Sequence, residues 1–287
     1  MTKRSSEGTA TTTEVTGAVA AEAVAAVTGE QQRVQLPEGF RVVFERGNSY
    51  LAVYTIPESD MMRKVVDNCV CEALQGTAKR GLTINLYGKE VEQPRAVGFV
   101  ADPEETEGYL YSRKLVPSQE PTNSYKALVT WVNNKLGTEY NGTLINCYTP
   151  NDCIGRHGDN ERDLDKSMGV VALSVGMPRE FIIRDAKEKS NAASTILCRH
   201  LTGDYEVMIM GGDFQKELTH EIPRMKEADR VADFVKRQIW IDRITLRTGI
   251  TLQEPTRVSF TFRCHKKAPA SPSSSSKQKA AKKQRVE

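Results

Sequence analysis

Arg257-Val258-Ser259-Phe260-Thr261-Phe262-Arg263 changes polarity at every step. Side chains on a strand alternate between two faces. Arg257, Ser259, Thr261 and Arg263 therefore share one face, and Val258, Phe260 and Phe262 share the other. Two arrangements satisfy this pattern. Either the phenylalanines enter a core and the arginines stand in water, or the polar face lines the inside of a barrel. In the second case two unpartnered guanidinium groups are untenable and demand a buried anion. The planar fork of arginine suits carboxylates, and one dicarboxylate can engage both.

Upstream of this strand, short runs over 143–148, 170–175, 180–184 and 205–210 are bounded by Gly, Pro, Asp or Asn and also read as strands. Two helices precede them. One is expected over 60–75, capped by Ser59 and stopped by Gly76, with Met61/Met62, Val65/Val66, Cys69/Val70 and Ala73/Leu74 at helical spacing. The second is expected over 125–136, starting at Asn123 or Ser124 and stopped by Gly137, with Leu128, Val129, Val132 and Leu136 on its apolar face. Helices followed by strands place the fold in the α+β class, with a sandwich or jelly-roll core.

The ends of the 287-residue chain differ from its body. Residues 1–33 are rich in Ala, Thr and Glu and read as a disordered arm; 34–265 form one domain. Residues 266–287 form a Ser/Lys-rich disordered tail with seven Lys/Arg and one acid, whereas the remaining 33 basic and 36 acidic residues leave the body at −3. The body is thus no general polyanion binder, and electrostatic attraction must come from the tail or a local patch. Deleting 266–287 is expected to flatten the salt dependence of nucleic-acid binding. Identical salt slopes with and without it would make the tail a targeting or solubilising segment. The six cysteines form no Cys-x-x-Cys pair, which argues against a zinc ribbon. No secretory signal or membrane span is evident, so an intracellular monomer with free thiols, in nucleus or cytoplasm and away from membranes, is the expectation.

His157-Gly158-Asp159 places an imidazole and a carboxylate two residues apart, on one side of an extended segment. Two-thirds of a metal site is then present. Of the four histidines, His220 is the best third ligand; it follows Gly211-Gly212 and precedes Ile222-Pro223. Two histidines and one carboxylate leave open positions on iron, as non-haem Fe(II) oxygen chemistry requires. His200 and His265 read as surface or tail residues. Leu144, Asn146 and Tyr148 share a strand face just before the His-x-Asp turn. Their amide and phenol either contact a small molecule or are satisfied core polars.

The ordered set Leu-Ile-Asn-Cys-Tyr (144–148), Asp-Cys-Ile-Gly-Arg-His-Gly-Asp-Asn-Glu (152–161), Leu-Ser-Val-Gly (173–176), Glu-Phe-Ile-Ile-Arg (180–184), Met-Gly-Gly (210–212), His-Glu-Ile-Pro (220–223) and the 257–263 strand resembles the AlkB family of DNA and RNA dealkylases. Tyr-Gly-Lys (87–89), Gln-Pro-Arg (93–95) and Tyr-Leu-Tyr-Ser (109–112) fit as well, so the likeness runs over about 36–265. It implies a double-stranded β-helix (jelly-roll) core with flanking N-terminal helices. It implies Fe(II) on His157, Asp159 and His220, and 2-oxoglutarate on Asn146, Tyr148, Arg257, Ser259 and Arg263. It further implies a base pocket at Arg95, Tyr109, Tyr111, Ser112 and Glu161. The implied enzyme is a dioxygenase that consumes O2 and 2-oxoglutarate and hydroxylates an N-alkyl carbon of DNA or RNA, as in 1-methyladenine or 3-methylcytosine. Formaldehyde, succinate and CO2 are released.

This chain departs from the family pattern in two places. Cys147 stands where many relatives carry a basic residue. The stretch about 226–253, containing Trp240, reads as an insertion, either a solvated surface helix or a contact for substrate or a partner. The lid region over 79–95 is locally basic through Lys79, Arg80, Lys89 and Arg95, diluted by Glu90 and Glu92. The alternatives are a protein hydroxylase or demethylase with the same cofactors, and a non-catalytic nucleic-acid binder.

Overall fold

A computed structural model describes residues 36–86, 88–112, 114–161, 163–165, 167, 169–188, 195–226 and 234–266. The expected arm, and the tail beyond Lys266, lie outside the described residues, as does Tyr87 of the Tyr-Gly-Lys motif. The chain runs through β1 (Arg41–Arg46), β2 (Ser49–Thr55), α1 (Met62–Glu72), β3 (Thr83–Leu86), β4 (Lys89–Glu92), β5 (Ala96–Ala101), β6 (Gly108–Tyr111), β7 (Lys114–Pro117) and α2 (Asn123–Leu136). It continues through β8 (Gly142–Tyr148), β9 (Ile154–His157), β10 (Val170–Gly176), β11 (Glu180–Asp185), β12 (Ile196–Leu201), β13 (Glu206–Gly211), α3 (Phe214–Glu217), β14 (Leu218–Ile222), α4 (Phe234–Thr248) and β15 (Arg257–Arg263).

The expectation of helices first and strands second is corrected, because β1–β7 all precede residue 142. Two physical reasons hid them. The hairpin strands β3, β4, β6 and β7 have only four residues each. β2 is buried on both faces over most of its length and shows no alternation.

Both expected helices are present. Asp60 rather than Ser59 serves the start of α1, its Oδ1 accepting from the Met62 amide at 2.9 Å. Beyond α1 a π-helical turn covers Ala73–Thr77, and Gly76 breaks it at φ +138°. Thr122, one residue earlier than expected, caps α2, and Gly137 ends it in the left-handed region at φ +64°.

A seven-stranded antiparallel sheet has the order β1-β2-β13-β10-β15-β8-β5, and a four-stranded one the order β12-β11-β14-β9. The hairpins β3-β4 and β6-β7 stand apart from both sheets. Val66, Val70, Leu128 and Val132 of α1 and α2 pack with Phe260 and Phe262 of β15 in one core. Burying each phenylalanine stabilises the fold by roughly 1.5–3 kcal/mol. Leu51, Ala172 and Met208 of the large sheet join Phe181, Ile183 and Ile222 of the small sheet in a second core. The helices therefore cover the phenylalanine face of β15. Its polar face is turned toward the small sheet, and all seven residues of the strand are buried.

The stretch 226–253, expected to be an insertion, contains a helix, α4; its residues 227–233 lie outside the described set. The helix exposes Val235 and Leu246 but buries Ile244, so it is only partly solvated. Among the described residues, no helix is long and apolar enough to cross a membrane.

Candidate metal centre and cavity

β9 and β14 pair antiparallel with His157 opposite His220, which sets their rings 4.3 Å apart. Asp159 follows two residues beyond the end of β9, held by Gln215, whose Oε1 accepts the Asp159 amide at 2.9 Å. The ligating atoms of His157, Asp159 and His220 all lie within 4.8 Å of one another. The Nδ1–H of His157 donates to the Gly155 carbonyl at 2.9 Å, leaving the Nε2 lone pair free. His220 stacks on Phe181 at 5.0 Å and turns Nε2 toward Asp159 Oδ2 at 3.6 Å. Its Nδ1 is buried without a partner among the described residues.

Electrostatics suit a divalent cation. Burial, reinforced by His157, pushes His220 down to about 3, and burial likewise lowers His157. Burial alone would raise Asp159, but Arg263 and the two imidazoles hold it below the ordinary carboxylate range. Two neutral imidazoles and an ionised carboxylate are the protonation state a metal needs.

These groups open into a cavity between the sheets. Arg95, Asn146, Tyr148, Arg257, Ser259 and Arg263 all line it, as do the stacked rings of Tyr109 and Tyr111, 5.9 Å apart. Arg263 pairs with Asp159 and lies 4.6 Å over the Tyr109 ring; its Nε and Nη1 are buried without partners among the described residues. Arg257 donates to Ser174 Oγ at 2.8 Å and Ser259 Oγ at 3.3 Å, and no carboxylate among the described residues pairs with it. Burial lowers its pKa to about 10. Arg95 turns inward and donates to Asn146 Oδ1 at 2.7 Å. Tyr109 donates to Glu161 Oε1 at 2.5 Å, and Glu161 Oε2 is buried with no partner among the described residues. Ser112, at φ +48°, is not among the cavity-lining residues.

Two histidine expectations are corrected. His265 is 2% exposed, with Nδ1 3.0 Å from Asp163 and its ring edge-on to Phe99. His200 is half-buried and bonded to Glu206 at 2.7 Å. Two residues were missed. Ser174, the Arg257 partner, stands in the Leu-Ser-Val-Gly run, where its one signal is a hydroxyl among apolar neighbours. Arg179 is buried, with its guanidinium given to the carbonyls of Thr149, Asp152 and Pro223. A lone arginine after proline gives no hint of that.

Two imidazoles and one carboxylate converging in a cavity between antiparallel sheets define a mononuclear metal centre of the iron-oxygenase type. The sequence profile of the 2OG-Fe(II) oxygenase superfamily matches residues 65–263, and the chain belongs to that family. Its chemistry is therefore that of an Fe(II)- and 2-oxoglutarate-dependent oxygenase. The chain is 24% identical over 182 residues to the human (Homo sapiens) protein DNA oxidative demethylase ALKBH2, covering 62% of this chain and 67% of that one. A solved structure of OsALKBH1 matches with 18% identity and a TM-score of 0.46, over 77% of this chain and 99% of that one.

Proposed function

We propose that this chain demethylates N-alkylated bases in DNA or RNA, on a double-stranded β-helix core within residues 34–265. In this reading His157, Asp159 and His220 hold Fe(II), while Asn146, Tyr148, Arg257, Ser259 and Arg263 hold 2-oxoglutarate. When bound, the pair supplies the oxidation by O2 that hydroxylates the N-alkyl carbon, which then leaves as formaldehyde. The observation that carries the substrate assignment is Glu161 Oε2, a buried acceptor beside the tyrosine pair with no donor among the described residues. An exocyclic amine of adenine or cytosine would fill that vacancy in hydrogen bonding. A carboxylate also favours a base made cationic by alkylation, as in 1-methyladenine or 3-methylcytosine.

A base inside a duplex cannot reach a metal between two sheets, so it must flip out or be single-stranded, at a cost of a few kcal/mol. Stacking on Tyr111 offsets about 1–3 kcal/mol of this. Arg95 and Ser112 complete the expected pocket. The identity with a human DNA oxidative demethylase supports the same substrate class.

Aerobic incubation of methylated and unmethylated oligonucleotides with iron and 2-oxoglutarate tests this. Loss of one methyl group and formaldehyde release are expected only with the methylated strand. Glu161→Ala should lower kcat/KM on the methylated strand about tenfold to a hundredfold, as loss of a charged hydrogen bond worth about 1.5–3 kcal/mol requires. No demethylation across a broad DNA and RNA panel, with a peptide turned over instead, would make this a protein-modifying enzyme.

A further inference from the structure

Helix α4 is fastened near the point where β15 begins. Arg247, in its last turn, donates to both oxygens of Asp204, Nη2 to Oδ2 at 2.8 Å and Nη1 to Oδ1 at 3.4 Å. Asp204 Oδ1 also accepts the Gly176 amide at 2.8 Å. Gly176 is the last residue of β10 and the register partner of Arg257. A Cβ on Gly176 would meet the Thr256 carbonyl oxygen at 2.3 Å and Ile244 Cδ1 of α4 at 3.3 Å, so backbone and helix both close on this glycine. The Met177 amide donates to that same Thr256 carbonyl at 3.0 Å. One face-repeat down β10, Ser174 takes the Arg257 Nε.

The other side of the clamp is equally built. Arg247 and Arg63 lie over the Tyr205 ring, 4.8 and 4.3 Å from its centroid. Tyr205 sits in the left-handed region at φ +56°, and its hydroxyl donates to Asp67 of α1. Asp204 and Tyr205 are thereby held between α1 and α4.

A long guanidinium side chain can be placed for a bidentate carboxylate only if its backbone is fixed. Arg257 is the first residue of its strand, preceded by a segment without helix or strand from α4 onward. We infer that Arg247 is a positioning residue for Arg257: through Asp204 it locks the Gly176–Arg257 register, so that α4 sets how tightly the cavity holds 2-oxoglutarate. This rests on the assignment of Arg257 to 2-oxoglutarate made above.

The test is calorimetric titration of 2-oxoglutarate into the Mn(II)-loaded full chain, with Mn(II) affinity measured separately. Arg247→Ala is expected to weaken 2-oxoglutarate binding about three- to thirtyfold, the range over which coupled networks act. Mn(II) affinity should not change, because the residue paired with a metal ligand, Arg263, is at the far end of the seven-residue strand. Arg247→Lys should restore binding only in part, since an ammonium cannot make the two-pronged pair. Asp204→Asn, which keeps an acceptor for Gly176 but loses the charge, should act in the same direction and decides the matter if Arg247→Ala does not fold. Leu246→Ala, at an 85% exposed neighbour, should leave binding unchanged. Unchanged 2-oxoglutarate affinity in Arg247→Ala and Asp204→Asn, with weakened binding in Arg257→Ala, would overturn this inference and leave the Arg257 assignment standing. Unchanged binding in Arg257→Ala would overturn both. Equal losses for 2-oxoglutarate and Mn(II) in Arg247→Ala would reduce the clamp to a general support of the fold.

Discussion

Replacing His157 by alanine is expected to take turnover below detection while leaving the fold intact. His157 is half-buried at the end of β9, an edge strand of the small sheet, and its ring is not part of either hydrophobic core shared by the sheets and helices. Truncation therefore opens no large cavity. What it removes is one of three converging donors, together with the Gly155 carbonyl contact that fixes the ring tautomer. His220 and Asp159 alone leave a bidentate site, from which a divalent ion is readily lost. The measurements are bound iron, succinate formed from 2-oxoglutarate, and the thermal midpoint. Near wild-type succinate production with added iron would remove His157 from the metal site.

Arg257→Ala should weaken 2-oxoglutarate binding by about 3–5 kcal/mol, beyond a hundredfold, because a ligand carboxylate would lose its charged partner in a buried site. The geometry motivates this size of effect. The Arg257 guanidinium is buried, its donors reach two serine hydroxyls and no carboxylate among the described residues, and the face of Tyr148 lies 5.4 Å away. Such a cation is incomplete until an anion arrives. The same reasoning gives a second, opposite signature. Without 2-oxoglutarate the variant is relieved of an uncompensated buried charge, so its thermal midpoint should hold or rise. Saturating 2-oxoglutarate should raise the midpoint of the parent chain by mass action and leave the variant unmoved. Equal affinity in parent and variant would mean that Arg257 serves another partner.

Helix α4 bears on both arginine experiments. Arg263 is held by Asp159 at one end of β15, whereas Arg257 depends on the β10 terminus at the other. The strand thus joins the metal centre to a register point on which α4 closes.

Several features were legible in the residues themselves. Alternation sorted β15 into two faces, helical spacing located α1 and α2, and the glycines at 76 and 137 marked where those helices stop. The spacing of His157 and Asp159 placed two donors within reach of one ion. Alternation, however, is symmetric: it divides side chains into two sets and does not say which set faces a cavity. That was decided by α1 and α2, which cover Phe260 and Phe262 on one side, and by β9, β11 and β14, which close over the arginines on the other. The same limit hid Ser174, Arg179 and the Arg247–Asp204 pair. Their partners are 83, 27 to 44, and 43 residues distant in the chain. Local sequence determines what each segment prefers to be and which side chains it presents together. Only packing of segments remote in sequence decides which of those faces leaves water, and burial is what turns a surface arginine into an anion site.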